Sequence, residues 1–382
     1  MTTTTQKKHA LPASVYVLGL LTLIGLVIGV YRLVVGLGTT SNLSDHYPWG
    51  LWIALDVFLI PAAGAAFSVS LISHFFGRDD YHEVLRPAVL TGLLGYVGVV
   101  AILILDLGRW HQFYSILIPG RINLHSFLEE VALSVTLYTM ILLLEVAPTI
   151  LEKWKLEGIT RLIERGIMII SGIGILISTV HQSSIGSMFL ILEHRLHPIW
   201  WTPILPMLFL MQALFGGVAM AAIVIKLTRD RMGTPVSRNL FTAIGKFIRI
   251  LLAVYLICKV GDLLLAGELD LLFTSGSYSL LVWIELVFGV ILPLVLLFSK
   301  LGKRADGVFW ASVWIIIGLF FNRVSVGWIG LQAPAWATYV PHWMEVMSSV
   351  GVAAAAVLVY IIVARVFNLF PEHSHKAEGE KI

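Results

Sequence analysis

The sequence predicts an all-α polytopic membrane protein crossed by about ten helices. Three observations carry that expectation. The 382 residues are 58% hydrophobic and 13% charged, with a mean hydropathy of +0.89, whereas soluble domains are roughly one-quarter charged. The apolar residues gather into runs of the length that a hydrocarbon core of about 30 Å asks of a helix, about 20 residues. No short segment alternates apolar and polar residues in the manner of a β-barrel strand.

The runs lie near 14–36, 50–75, 88–106, 125–147, 163–181, 203–227, 244–265, 279–299, 307–326 and 343–367, each bounded by Pro, Gly or a charge cluster. The first is too long for the apolar core of a signal peptide and no small-x-small cleavage site follows it, so it counts as a spanning helix. The second opens on "PWGLWIALD", where Trp49 and Trp52 suit an interfacial aromatic belt about one turn from Asp56, and it contains Pro61. The third ends at Asp106. The fourth carries Glu130, Ser134, Tyr138 and Glu145 within an arc of roughly 80° at 100° per residue, a polar stripe that reads as a proton path from one membrane edge almost to the other. Ser134 also suits close helix packing, and Glu145 also suits contact with water at its edge. The fifth holds the charge-free "IMIISGIGILIST" and is expected to end at "VHQSSIGS". In helices seven to ten, Lys259, Asp262, Glu285, Arg323 and Glu345 have mixed signs, which predicts a buried ion-pair network.

Charge sets the orientation. When loops are assigned alternately to the two sides, 20 of the 26 Lys and Arg residues fall on one of them, and the positive-inside rule makes that side cytoplasmic, with both termini on it. The net charge of +3 therefore reports topology and does not point to nucleic acid. No extramembrane segment is long enough to fold alone, so a soluble partner has to be another chain. The single cysteine, Cys258, excludes an internal disulfide and a Cys-ligated iron–sulfur cluster. No helix carries a histidine pair at stacked depths, so two haems across the membrane are not predicted. One outer haem between His125 and His181 is the less favoured arrangement.

The polar residues are sorted by depth. Asp56, Asp106, Arg109, His111, Arg121, Asn123, His125, Glu129, Glu130, His181 and Gln182 gather toward the outer ends of helices two to five. Ionisable groups in lipid cost about 2.5–3.5 kcal/mol each at a helix centre, so apolar flanks around Asp56, Glu130 and His181 ask for a function. Imidazole, carboxylate, amide and hydroxyl groups beneath one membrane face are what a two-electron, two-proton quinone headgroup needs: donors to its oxygens and bases that titrate near neutrality.

"YPWGLWIALD", "PGRINLHSFLEEVA", "VHQSSIGSM" with "HPIW", and "YSLLVWIEL" resemble the motifs of the NrfD/PsrC family of membrane quinol oxidoreductase subunits, in the ten-helix HybB-like, hydrogenase-2 type branch. The likeness runs in order over nearly the whole chain. It implies one integral membrane domain over 1–382, with a quinone-binding four-helix bundle at 50–181, a second bundle at 203–326, and flanking helices at 14–36 and 343–367. It implies a quinone or quinol substrate, menaquinone or ubiquinone, with no haem or iron–sulfur centre held by this chain. The implied partners are an extracytoplasmic ferredoxin-like iron–sulfur subunit or multihaem cytochrome, with a hydrogenase or other catalytic subunit, in a bacterial or archaeal cytoplasmic membrane. His181, Glu130 and Asp56 are the expected catalytic groups. His125, Gln182, Ser183, Trp52 and Asn123 are expected to bind quinone, and Gly186 to ease the turn after helix five. Two other readings stay open: a proton-linked transporter, whose site would sit at the midplane beside broken helices, and a passive anchor for a redox enzyme.

Overall fold

The computed structural model describes residues 12–75, 81, 84–123, 125–233, 236–334, 338–367, 369 and 370. Ten helices among them are long and apolar enough to span a bilayer: α1 (Ala13–Val35), α2 (Leu51–Ser73), α3 (Leu85–Asp106), α4 (Phe127–Trp154), α5 (Glu157–Leu190), α6 (Leu205–Arg231), α7 (Asn239–Leu265), α8 (Ser277–Phe298), α9 (Ala305–Gln332) and α10 (Trp343–Val366). The protein is an all-α polytopic membrane protein, and the only β feature among the described residues is an isolated bridge between Ser44 and Tyr47. Helices α2 to α5 pack in chain order, as do α6 to α9; α2, α6 and α9 join the two sets, and α1 lies along α10 against α3. The α1–α10 contact needs glycine on both sides, because a Cβ on Gly25 would sit 2.4 Å from the Cα of Gly351.

Helices run past the apolar runs that seed them. The largest extension is α5, which has 34 residues and spans about 51 Å at 1.5 Å per residue. It does not end at His181 but continues unbroken to Leu190. Gly186 therefore makes no turn; it lets α6 approach, since a Cβ there would lie 2.6 Å from Pro206 Cα and 2.9 Å from Leu205 O. Backbone atoms cannot yield as a flexible side chain can. Gly186→Val is expected to lower the thermal midpoint of the purified protein by the equivalent of about 1–3 kcal/mol, or to prevent its accumulation; an unchanged midpoint would show that α5 and α6 are free to separate.

Two other helices owe their shape to local chemistry. Pro61 has no N–H to give, and α2 breaks just beyond it, where Gly64 N donates to Pro61 O in a tighter turn. The freed Ile60 carbonyl is met from α5 by Gln182 Nε2 at 3.2 Å. At the start of α4, Ser126 Oγ accepts from Glu129 N, which places Glu129 and Glu130 in the first turn, where the helix dipole favours a negative charge.

Candidate functional site

The loops rich in Lys and Arg lie at one end of the helices, called the basic end below; the opposite end is the far end. The sequence-predicted residues separate into four layers between them. The first is near the far end. There Glu130 Oε1 accepts a hydrogen bond from Ser184 of α5 at 2.7 Å, Glu129 has a buried oxygen without a protein partner, and Ser183 donates to Val180 O at 2.8 Å. Asn123 and His125 are exposed on the preceding loop, with Asn123 Oδ1 accepting from His125 N at 3.1 Å.

The second layer is deeper than an apolar-run reading of α5 suggests. His181 is wholly buried and lies about 14 Å along α5 from its far end, close to the middle of a 30 Å core. Its Nδ1 is 2.9 Å from the Ile177 carbonyl and its Nε2 2.6 Å from Tyr96 Oη. A carbonyl only accepts, so Nδ1 carries the proton; in the neutral ring Nε2 accepts from the Tyr96 hydroxyl. Tyr138 of α4 completes the group, with its ring 4.8 Å from that of Tyr96 and 5.9 Å from the imidazole. Ser178, one turn from His181, is fully buried beside the hydroxyls of Tyr96 and Tyr138. Gln182 is buried here too, its amide engaged by Ile60.

The third layer lies toward the basic end. Glu145 accepts from Ser171 Oγ at 2.5 Å. The pair lines a cavity of 160 Å³ together with Ser70, Arg86, Glu164 and Leu369. The polar stripe predicted along α4 thus crosses to α5, where Ser171, Ser178 and Gln182 recur at i, i+7 and i+11 on one helix face. Ser134 is half-buried. Tyr96, Ser171, Ser178 and Ser184 carry little signal in the sequence. A lone tyrosine in the apolar "LLGYVGVVAILI" was the one available signal, and serines in a membrane helix are usually packing residues.

The fourth group stands apart. Asp56 and Trp52, one turn from each other on α2, are buried on the side of α1, α3 and α10. Both Asp56 oxygens lack a protein partner, and the charge that Asp56 senses is Asp106, not His181. Trp52 is not in a lipid-facing belt: its Nε1 donates to Ser348 Oγ at 3.4 Å and Arg32 lies 6.0 Å over its ring. Arg32, a buried arginine of α1, donates to Leu107 O at 2.7 Å and keeps Nε and Nη1 without partners. Trp49 packs edge-on against Phe189 at 6.0 Å. Outside the spans, burial raises the pKa of Tyr47 and keeps its hydroxyl protonated, so that it donates to Trp328 O at 2.5 Å.

Two expectations need correction. Among the described residues no ion pair joins Lys259, Asp262, Glu285 and Arg323, because Glu285 is held by Tyr255 and Arg323 by a carbonyl and a ring. Glu345 belongs to a helix cap: it accepts from Asn42 N and His342 N at 2.9 Å each and from the Tyr339 hydroxyl. As for haem, both His181 nitrogens are engaged while His125 sits exposed on a loop, so that pair does not fit a haem as it stands. No group of three or more His, Cys, Asp or Glu among the described residues is arranged to hold a metal ion.

Residues 39–335 match the family model described as "Polysulphide reductase, NrfD". The chain belongs to the NrfD family. Similar curated proteins agree over nearly their full lengths. The "Probable Ni/Fe-hydrogenase 2 b-type cytochrome subunit" of Escherichia coli is 31% identical over 94% of this chain and 92% of its own. The "Menaquinone reductase, integral membrane subunit" of Nitratidesulfovibrio vulgaris is 29% identical over 89% of this chain and 87% of its own. A selenate reductase subunit of Mesobacillus selenatarsenatis is 21% identical over 95% and 96%. The relatives of this NrfD-family chain are thus named as subunits of hydrogenase and reductase complexes, HybB-like in the first case.

Proposed function

We propose that this NrfD-family protein is the quinone-reactive membrane subunit of a respiratory oxidoreductase. In this reading the far end faces outward and both termini are cytoplasmic. The observation that carries it is the buried Tyr96–His181–Tyr138 group, one turn of α5 below the Glu130–Ser184 pair, in a family whose named members include a menaquinone reductase subunit. The headgroup is received between α4 and α5 near Glu130, Ser183 and Ser184, with Asn123 and His125 over it and His181 and Gln182 beneath. Reduction of a quinone consumes two electrons and two protons, and oxidation of the quinol returns them. The electrons pass between the headgroup and the outermost centre of an extracytoplasmic iron–sulfur or cytochrome partner; the His125–His181 pair does not fit a haem, although one relative is named for a b-type cytochrome. Glu130 is the carboxylate that exchanges protons at the headgroup; Asp56, turned toward Asp106, stands apart from it. Tyr96, Tyr138, Ser178 and the Glu145–Ser171 pair relay protons toward the cavity at the basic end, so turnover moves charge across the membrane, worth about 2.3 kcal/mol per charge per 100 mV. The test is direct. The purified complex should reduce or oxidise a menaquinone or ubiquinone analogue at the expense of its partner's substrate; a complex active with soluble dyes alone would reduce this chain to an anchor.

Orientation is tested separately. In protein lacking Cys258, cysteines placed at the exposed positions Asp45 and Ser277 should react with an impermeant thiol reagent added outside intact cells. A cysteine at Thr234, which lies outside the described residues, should not. Labelling at Thr234 would invert the topology and move the quinone site to the cytoplasmic face.

A further inference from the structure

The second helix set contains a buried polar cluster that the quinone chemistry does not use. Glu285 of α8 is 3% exposed; its Oε1 accepts from Tyr255 of α7 at 3.0 Å, and the Tyr255 oxygen accepts from Gln212 Nε2 of α6 at 2.9 Å. Arg323 of α9 is 1% exposed, lies 3.3 Å over the Phe209 ring and donates to Phe209 O at 3.4 Å. Around this chain, Glu285 Oε2, Gln212 Oε1, Asn322 Oδ1, Arg323 Nε and Nη1 and Trp200 Nε1 are buried without a hydrogen-bond partner in the protein. So many unsatisfied polar atoms in one place are rare unless water or a proton completes them. Trp200, Gln212, Tyr255, Lys259 and Asn322 line a cavity of 10 Å³. That is about the room for one water and far too little for a quinone ring.

The local backbone and the polar pattern point the same way. Glu285 opens a π-helical stretch, Glu285–Ile291, a distortion that frequently marks functional positions in helices. Tyr255, Lys259 and Asp262 recur at i, i+4 and i+7 along α7, one face leading from the cluster to the far end. At that rim Asp262 accepts from Thr202 Oγ1 at 2.7 Å, and Glu268, in the loop after α7, has its carboxyl pKa raised by partial burial and by Asp262. In the other direction the set is closed by buried apolar side chains, among them Ile248, Leu252, Val290, Leu297 and Ile315. The titratable and charged groups facing Glu285 are Tyr255 from α7 and Arg323 from α9; Lys259 lies one turn beyond Tyr255, on the cavity, and α6 offers only the uncharged Gln212.

We infer that Glu285 is a proton-binding site at the floor of a polar well that opens at the far end alone, joined through Tyr255 to a water in the cavity and from there to Lys259 and the rim. Tyr255, which lines the cavity and touches Glu285 Oε1, is the link between them: on release its hydroxyl passes a proton to the cavity water and takes up the one from Glu285, and the nearby Arg323 stabilises the carboxylate. No bond other than O–H is made or broken. The outward sense of the well rests on the orientation proposed above, which the cysteine labelling checks independently, and the test below requires no quinone turnover.

Dicyclohexylcarbodiimide, an apolar reagent for protonated membrane carboxyls, is added to right-side-out vesicles holding the whole complex, and Glu285 is followed by peptide mass spectrometry. Labelling should fall with rising external pH, by up to about tenfold per unit as for a single titrating proton, and stay constant when only internal pH is changed. A rate that follows internal pH, or neither, overturns the proposal. Infrared difference spectra between acid and alkaline buffer give a readout independent of reagent access: a carboxyl band present in wild type and missing in Glu285→Gln supports the site, and identical spectra refute it.

Discussion

His181→Ala should lower quinone-coupled turnover at least about tenfold while the complex still assembles. The substitution removes the acceptor of the Tyr96 hydroxyl and the donor to the Ile177 carbonyl; losing hydrogen bonds that steady charge on a reacting oxygen costs about 2.7–4 kcal/mol in rate in comparable sites. Because both imidazole nitrogens are held by the protein, the histidine reaches the quinone through Tyr96 or by releasing one of these contacts, and Tyr96→Phe separates the two. If Tyr96 is the intermediary, its hydroxyl deletion reproduces most of the His181→Ala defect and moves the pH profile in the same direction. If the histidine turns to the headgroup, Tyr96→Phe is mild. Unchanged quinone kinetics in an assembled His181→Ala complex would make the residue a packing element.

Glu145→Gln carries the other large expectation. The amide keeps the size of the side chain and can still meet Ser171 Oγ, but it cannot take up and pass on a proton. Turnover should slow several-fold, on the lower side of the roughly 10²–10⁴-fold that a positioned acid–base group contributes. It should lose its dependence on cytoplasmic pH and leave quinone KM near wild type, because the residue lies on the basic-end cavity, far along α4 from Glu130. The decisive measurement is in proteoliposomes, where turnover and membrane potential are read together. Full turnover with an undiminished potential would mean that the cavity is solvent-filled packing and that protons exchange only at the far end.

The ten spans and their order were legible in the residues because lipid imposes a one-dimensional rule: enough consecutive apolar residues, with charge expelled to the ends. The family was legible from motifs in the same order along the chain. Helix length was less so. Once its hydrogen-bond ladder is running, a helix continues through serines, a glutamine and a histidine as readily as through leucines, so hydropathy placed the end of α5 at His181 when it lies at Leu190.

Composition and periodicity by themselves determined a polytopic all-α protein, a basic end and a far end, and the set of polar residues that lipid would not tolerate without purpose. Which of those residues meet was decided only in three dimensions. Asp56 and His181 look alike in sequence, each a lone ionisable group in an apolar run, yet the rotation of α2 turns Asp56 toward Asp106, while α5 turns His181 toward Tyr96 and Tyr138. Glu285 and Arg323, expected as members of a buried ion-pair network, are instead engaged by Tyr255 and Phe209. Depth along a helix follows from counting residues at 1.5 Å each, but the direction of a side chain around the axis is set by which neighbours the helix packs against, and that is a property of the assembled bundle.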